Sequence, residues 1–94
     1  MAESVFAEAE RIIIGPRRDA YGDPRKSFDT IGIGFDAIWS LVHHSEGQKL
    51  TPSRAVVLSM IWLKMCREMN AHDRDNIVDI IGYAGLLQEL SDPR

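Results

Sequence analysis

Residues 51–70 read TPSRAVVLSMIWLKMCREMN, and this stretch decides the fold. Thr51 is a good N-cap and Pro52 suits the first helical position, so a helix is expected from Pro52 to about Met69. Ala55, Val56, Leu58, Met60, Ile61, Trp62, Leu63 and Met65 cover most of its circumference. A helix that is apolar on most sides belongs in the middle of a structure. Asn70-Ala71-His72 breaks it, and Asp73 can cap another helix that continues to about Leu90.

Upstream, two more helices are expected. Phe28, Ile31, Phe35, Ile38, Trp39 and Val42 recur at helical spacing, from about Arg25 to His44. Gly32 and Gly34 sit inside that helix, where each costs about 1 kcal/mol relative to Ala. They mark either a close helix crossing or a break. Val5, Phe6, Ala9, Ile12 and Ile13 define a first helix over Ala2–Ile14, which Gly15-Pro16 should stop. Arg17–Pro24 then reads as a polar loop with a turn, and Ser45–Leu50 as a polar connection. Ser91–Arg94 contains Pro93 and is expected to fray. The fold class is therefore all-α: one helical domain over residues 1–94, a compact bundle of about four helices. A single core is marginal at this size, so a homo-oligomer that buries a further apolar face is expected.

Composition excludes several classes. Of 94 residues, 45% are hydrophobic and 27% charged, which is globular rather than disordered. The net charge of −3 argues against a nucleic-acid surface, and Asp19, Asp23 and Asp29 dilute the cations Arg17, Arg18, Arg25 and Lys26. A lone cysteine, Cys66, rules out an internal disulfide and reads as a structural thiol. No apolar run is long enough to span a membrane, and the N-terminus does not have the order of a signal peptide, so a cytoplasmic location is expected.

The densest polar cluster is Lys64, Arg67, Asp73, Asp75, Asn76 and Asp79. Lys64 and Arg67 share a face at i, i+3; Asp75 and Asp79 share one at i, i+4. A short connection makes the two helices antiparallel, so all four converge at one end. Three readings stay open. The cluster is an interhelical salt-bridge network that also satisfies both helix dipoles. It is a phosphate or metal–phosphate site, the carboxylates holding Mg²⁺ and the bases meeting phosphate. Or it is a polar partner interface. Tyr21-Gly22-Asp23-Pro24 is a second cluster. Tyr21 can stack on a base while nearby arginines meet phosphate, or Tyr21 packs on the core and Asp23 accepts local backbone bonds. Gly82 lies one turn from Asp79 and permits close approach, and Tyr83 can hydrogen-bond across to another helix. His43-His44 with Glu46 is a poor metal set, because adjacent helical residues diverge. Trp39 and Trp62 are expected in the core.

Taken in order, Arg18-x-x-Tyr21-Gly22-Asp23, Trp39, Lys64-x-x-Arg67 and Asp75-x-x-x-Asp79-x-x-Gly82-Tyr83-Ala84 resemble a family of small helical proteins. These occur in bacteriophages, prophages and actinobacteria and carry a domain of unknown function. The resemblance covers about Ala9 to Leu90. More distantly the chain is similar to all-α nucleotide pyrophosphohydrolases of the MazG and dUTPase type, which use Mg²⁺ on helix-borne carboxylates. Their Glu-x-x-Asp element has its nearest counterpart in Asn76-x-x-Asp79, while their Glu-Glu-x-x-Glu element is absent here. The resemblance implies a phage-type protein of the host cytoplasm that binds a nucleotide or similar phosphorylated ligand, with hydrolysis left open. Lys64 and Arg67 would contact phosphate. Asp75 and Asp79 would be the catalytic and Mg²⁺-holding pair. Arg18, Tyr21, Asp23 and Tyr83 would complete the ligand set. The competing reading is a non-enzymatic helical interaction module, oligomeric, with the charged cluster as a salt-bridge network.

Overall fold

A computed structural model describes residues 2–43 and 50–92, the side chains of Ala20 and Tyr21 excepted. Within them every regular element is helical, as expected. The elements are α1 (Val5–Ile12), a π-helical turn (Ile13–Arg17), α2 (Arg18–Tyr21), α3 (Pro24–His43), α4 (Pro52–Asn70) and α5 (Arg74–Ser91).

The N-terminal boundary differs from expectation. Gly15-Pro16 does not stop the first helix, and Arg17–Tyr21 is not a loop. The backbone stays helical through Ile12, Ile13, Arg17 and Arg18. Pro16 lacks an N–H and its ring crowds the carbonyl one turn back. Widening the turn to the π form absorbs both defects without ending the rod. The helix ends only at Gly22, whose φ of 74° closes the turn and where a Cβ would press on the Asn70 side chain. Asp23 then caps α3, its Oδ1 accepting from the Arg25 N–H at 3.0 Å, with Pro24 at the first helical position.

The other caps follow the sequence. Thr51 Oγ1 accepts from the Arg54 N–H, and Asp73 Oδ1 accepts from the Asp75 N–H at 2.9 Å. Residues 93 and 94, as well as His44 and Glu46, lie outside the described residues.

Helix α4 is central: α3, α2 and α5 all pack on it, while α3 and α5 do not approach each other. Two tryptophans join α3 to α4 in opposite directions. Trp39 Nε1–H donates from α3 to Ser59 Oγ at 3.1 Å, and the Ser59 hydroxyl donates to the Ala55 carbonyl at 2.7 Å. Trp62 Nε1–H donates from α4 to the Ile31 carbonyl at 3.1 Å. Each half-buried indole is thereby satisfied. Gly34 makes this possible, since a Cβ there would overlap the Trp62 indole. Of the two readings for the glycines, Gly34 is the close crossing; Gly32 has open space beside it. The residues buried around this seam are Ile31, Leu50, Ala55 and Ser59. The N-terminal rod reaches outward, with Phe6 88% exposed. The molecule measures 53 × 28 × 25 Å.

The two glycines give opposite predictions. Gly34→Ala should destabilise by about 1–3 kcal/mol through overpacking, despite the better helix propensity of alanine. Gly32→Ala should stabilise by up to about 1 kcal/mol. Urea unfolding of both variants checks this, and a stabilised Gly34→Ala would contradict the seam.

Candidate functional site

The corner between α4 and α5 is held by one carboxylate. Glu68, near the end of α4, accepts at Oε1 from the Asp73 N–H at 3.0 Å and from Asn76 Nδ2 at 3.2 Å. Its Oε2 pairs with His72 Nδ1. Asn76 is buried, so its amide needs that partner. The hydrogen bond from His72 and the Asp73 N–H hold the Glu68 carboxyl below the usual range, and the Glu68 carboxylate holds the His72 imidazole above it. Sequence reading missed Glu68 and His72 as partners. Their i, i+4 spacing was the available signal.

This corner makes α4 and α5 antiparallel and forms a polar cavity of about 520 Å³. Lys64, Arg67, Asp75 and Asp79 all line it, with His72, Asp73 and Asn76. The four side chains expected at one end do meet there. Lys64 Nζ lies 2.8 Å from Asp79 Oδ2, with Lys64 only 14% exposed and Asp79 42% exposed. Lys64 is thus committed to a carboxylate.

A second cavity, of about 500 Å³, lies between the N-terminal rod and the α3–α4 seam. Ile12, Ile13, Phe28, Ile31 and Leu63 give it apolar walls, and Arg17, Arg18 and Arg67 line it, with no carboxylate among the described lining residues. Arg67 belongs to both cavities. The sequence offered Arg17 and Arg18 among the arginines near Tyr21 that could meet phosphate, and both line this cavity. It did not reveal the apolar walls, which read only as core. Asp23 lines neither cavity and serves as the cap of α3. Tyr83 is half-buried on α5 and also lines neither. The Tyr21 side chain lies outside the described part. Gly82 does not mark a close approach, having nothing within 4 Å of a built Cβ. Cys66 is half-buried, and burial pushes its thiol up, as for an inert structural cysteine. Among the described residues no three of His, Cys, Asp and Glu come together as a metal-holding group. No helix among them is long and apolar enough to cross a membrane.

An all-helical fold whose charged corner adjoins an arginine-lined apolar cavity is the class that these features define. The chain belongs to the family described as Domain of unknown function (DUF6378), which matches residues 4–91. It is 36% identical over 91 residues to the Gene 55 protein of Mycobacterium phage L5 and 32% identical over 91 residues to the Gene 55 protein of Mycobacterium phage D29. The matches cover 96% of this chain but 54% and 55% of those proteins, so the chain spans about half their length. No solved structure matches.

Three predictions test the corner. Asp79→Asn should cost about 1–2 kcal/mol, less than for a fully buried pair because Asp79 faces solvent in part. Combining Lys64→Asp with Asp79→Lys should recover part of the loss of either change alone, read by denaturant titration. The Glu68–His72 pair makes stability depend on pH. The raised His72 contributes below its unfolded value of 6.5 and is lost as pH rises through its folded value. The lowered Glu68 contributes above its unfolded value of 4.5 and is lost as pH falls through its folded value. The pair therefore stabilises most between those two values, and His72→Gln should flatten the alkaline limb of a Tm-against-pH profile.

Proposed function

We propose that the chain binds a nucleotide or similar phosphorylated small molecule across the two cavities that meet at Arg67. The observation that carries the reading is that one arginine, Arg67, lines both an apolar cavity, with no carboxylate among its described lining residues, and a polar cavity with Asp73, Asp75 and Asp79. A nucleotide has a matching division, a flat and largely apolar base joined to a polyanion. Ile12, Ile13, Phe28 and Leu63 suit the base. Arg17, Arg18 and Arg67 suit the phosphates, which guanidinium groups meet in bidentate fashion.

In this reading Lys64 holds Asp79 in place. Asp75 and Asp79, with one oxygen already engaged, do not fit a resident metal centre of the kind a two-metal hydrolase needs. Mg²⁺ enters as the ion that a nucleoside triphosphate brings with it, and Asp75 and Asp79 are the residues that would meet it. Pyrophosphohydrolysis of the MazG type would be a further step, with the same two carboxylates orienting water. Such a ligand places the protein in the cytoplasm, that of the host for a phage-encoded chain.

The test is thermal melting against nucleoside and deoxynucleoside mono-, di- and triphosphates, with and without Mg²⁺. A ligand at 100 times its Kd adds about 2.7 kcal/mol, which raises Tm by roughly 10 °C or more in a domain of this size. Arg67→Leu should abolish that shift. A flat panel at millimolar ligand overturns the reading and turns attention to the interaction module, for which the Lys64–Asp79 ion pair is the favouring observation.

A further inference from the structure

Helix α5 carries no charge from Ile80 to Leu87, on any side. A helix apolar all round is normally enclosed by neighbours. Among the described residues only α4 packs along this one. Its opposite side presents Ile77, Val78, Ile81, Gly82 and Gly85, which fall within about 140° of a helical wheel. Ile81 is 68% exposed, and nothing lies within 4 Å of a built Cβ on Gly82 or Gly85.

The ends of this stripe carry opposite charges. Arg74 opens α5 and Asp92 follows its last residue. Eighteen residues separate them, which is five full turns, so both lie along the stripe's centre line. The midpoint is Tyr83. We propose that a second copy of this chain docks antiparallel on the stripe, about a two-fold axis at the level of Tyr83. Arg74 of each copy then faces Asp92 of the other. Ile81 of each faces Gly85 of the other and fills the space that the missing side chain leaves. An isologous dimer needs such a self-complementary arrangement.

Surface area supports a second copy. The chain exposes 7311 Å², whereas a compact monomer of 10.6 kDa exposes about 5,500 Å². The excess, about 1,800 Å² per chain, is shared with the outward-reaching N-terminal rod, and it exceeds the roughly 800 Å² that each partner contributes to a standard interface. This proposal is independent of the ligand reading, since none of its residues lines either cavity.

Light scattering on the 94-residue chain tests it. The expected mass is about 21 kDa, twice the 10.6 kDa of one chain. Ile81→Glu should give a monomer that keeps its helical circular dichroism. Arg74→Glu should weaken the dimer by about tenfold or more, because both symmetry-related pairs turn repulsive. Adding Asp92→Arg to Arg74→Glu should restore it. Should Ile81→Glu fail to fold, the charge swap decides alone. A monomeric wild-type mass at high concentration overturns the proposal and assigns the stripe to a different partner or to further chain. A dimer indifferent to Arg74→Glu, or not restored by Asp92→Arg, overturns it as well.

Discussion

Two indole N–H groups set the spacing between α3 and α4. A half-buried N–H left without an acceptor costs about as much as several good packing contacts return. Trp39 and Trp62 must therefore find acceptors, and each finds one on the opposite helix. One acceptor is a side chain and the other a main-chain carbonyl, so sliding either helix along its axis breaks both bonds. The register fixed in this way determines what lies beside it. Leu63 follows Trp62 directly, and Arg67 comes one turn after Leu63, so the apolar cavity and the arginine shared by both cavities inherit their positions from the seam.

The opposite flank of α4 works by polar rather than aromatic contacts. Glu68 gathers a main-chain N–H, an amide and an imidazole on two oxygens. A carboxylate that accepts several donors is favoured in its charged form, and the lowered Glu68 shows the same preference. Because the donors come from the connection and from the first turn of α5, the carboxylate sets the angle at which α5 leaves. Asp75 and Asp79 are carried into the polar cavity by that angle. Arg17 and Arg18 thus lie on the side of Arg67 that has apolar walls, and Asp73, Asp75 and Asp79, with Lys64, on the side that does not.

Much of this was legible in the sequence where local chemistry decided the outcome. Thr51-Pro52 and Asp73 are capping signals that act within one turn, and both helices begin where those residues indicate. The convergence of Lys64, Arg67, Asp75 and Asp79 followed from spacing and one short connection. Gly34 was ambiguous because its reason lies 28 residues away, in an indole on another helix. Asp23 could be read from the sequence either as a ligand residue or as an acceptor of local backbone bonds, and the position of the Arg25 N–H shows the second. The apolar cavity was not legible, since Ile12, Phe28 and Leu63 look alike in sequence whether they face one another or line a space. Pro16 misled because proline penalises an α turn, whereas the chain adopts a wider one.

That wider turn also changes phase. A π turn spends about one more residue per revolution than an α turn, so everything after it is rotated by about 100° relative to an uninterrupted helix. Arg17 and Arg18 come after or within the rotation, and Ile12 and Ile13 come before or at its start. The rotation brings both groups to the same cavity, although an uninterrupted rod would turn Arg18 away from the apolar stripe. The segment Ile13–Arg17 therefore acts as a counter of fixed length. Losing one residue there would leave a plain α-helix with Arg17 and Arg18 on the same side, whereas holding all five residues in the α form would turn Arg18 away from the cavity it lines.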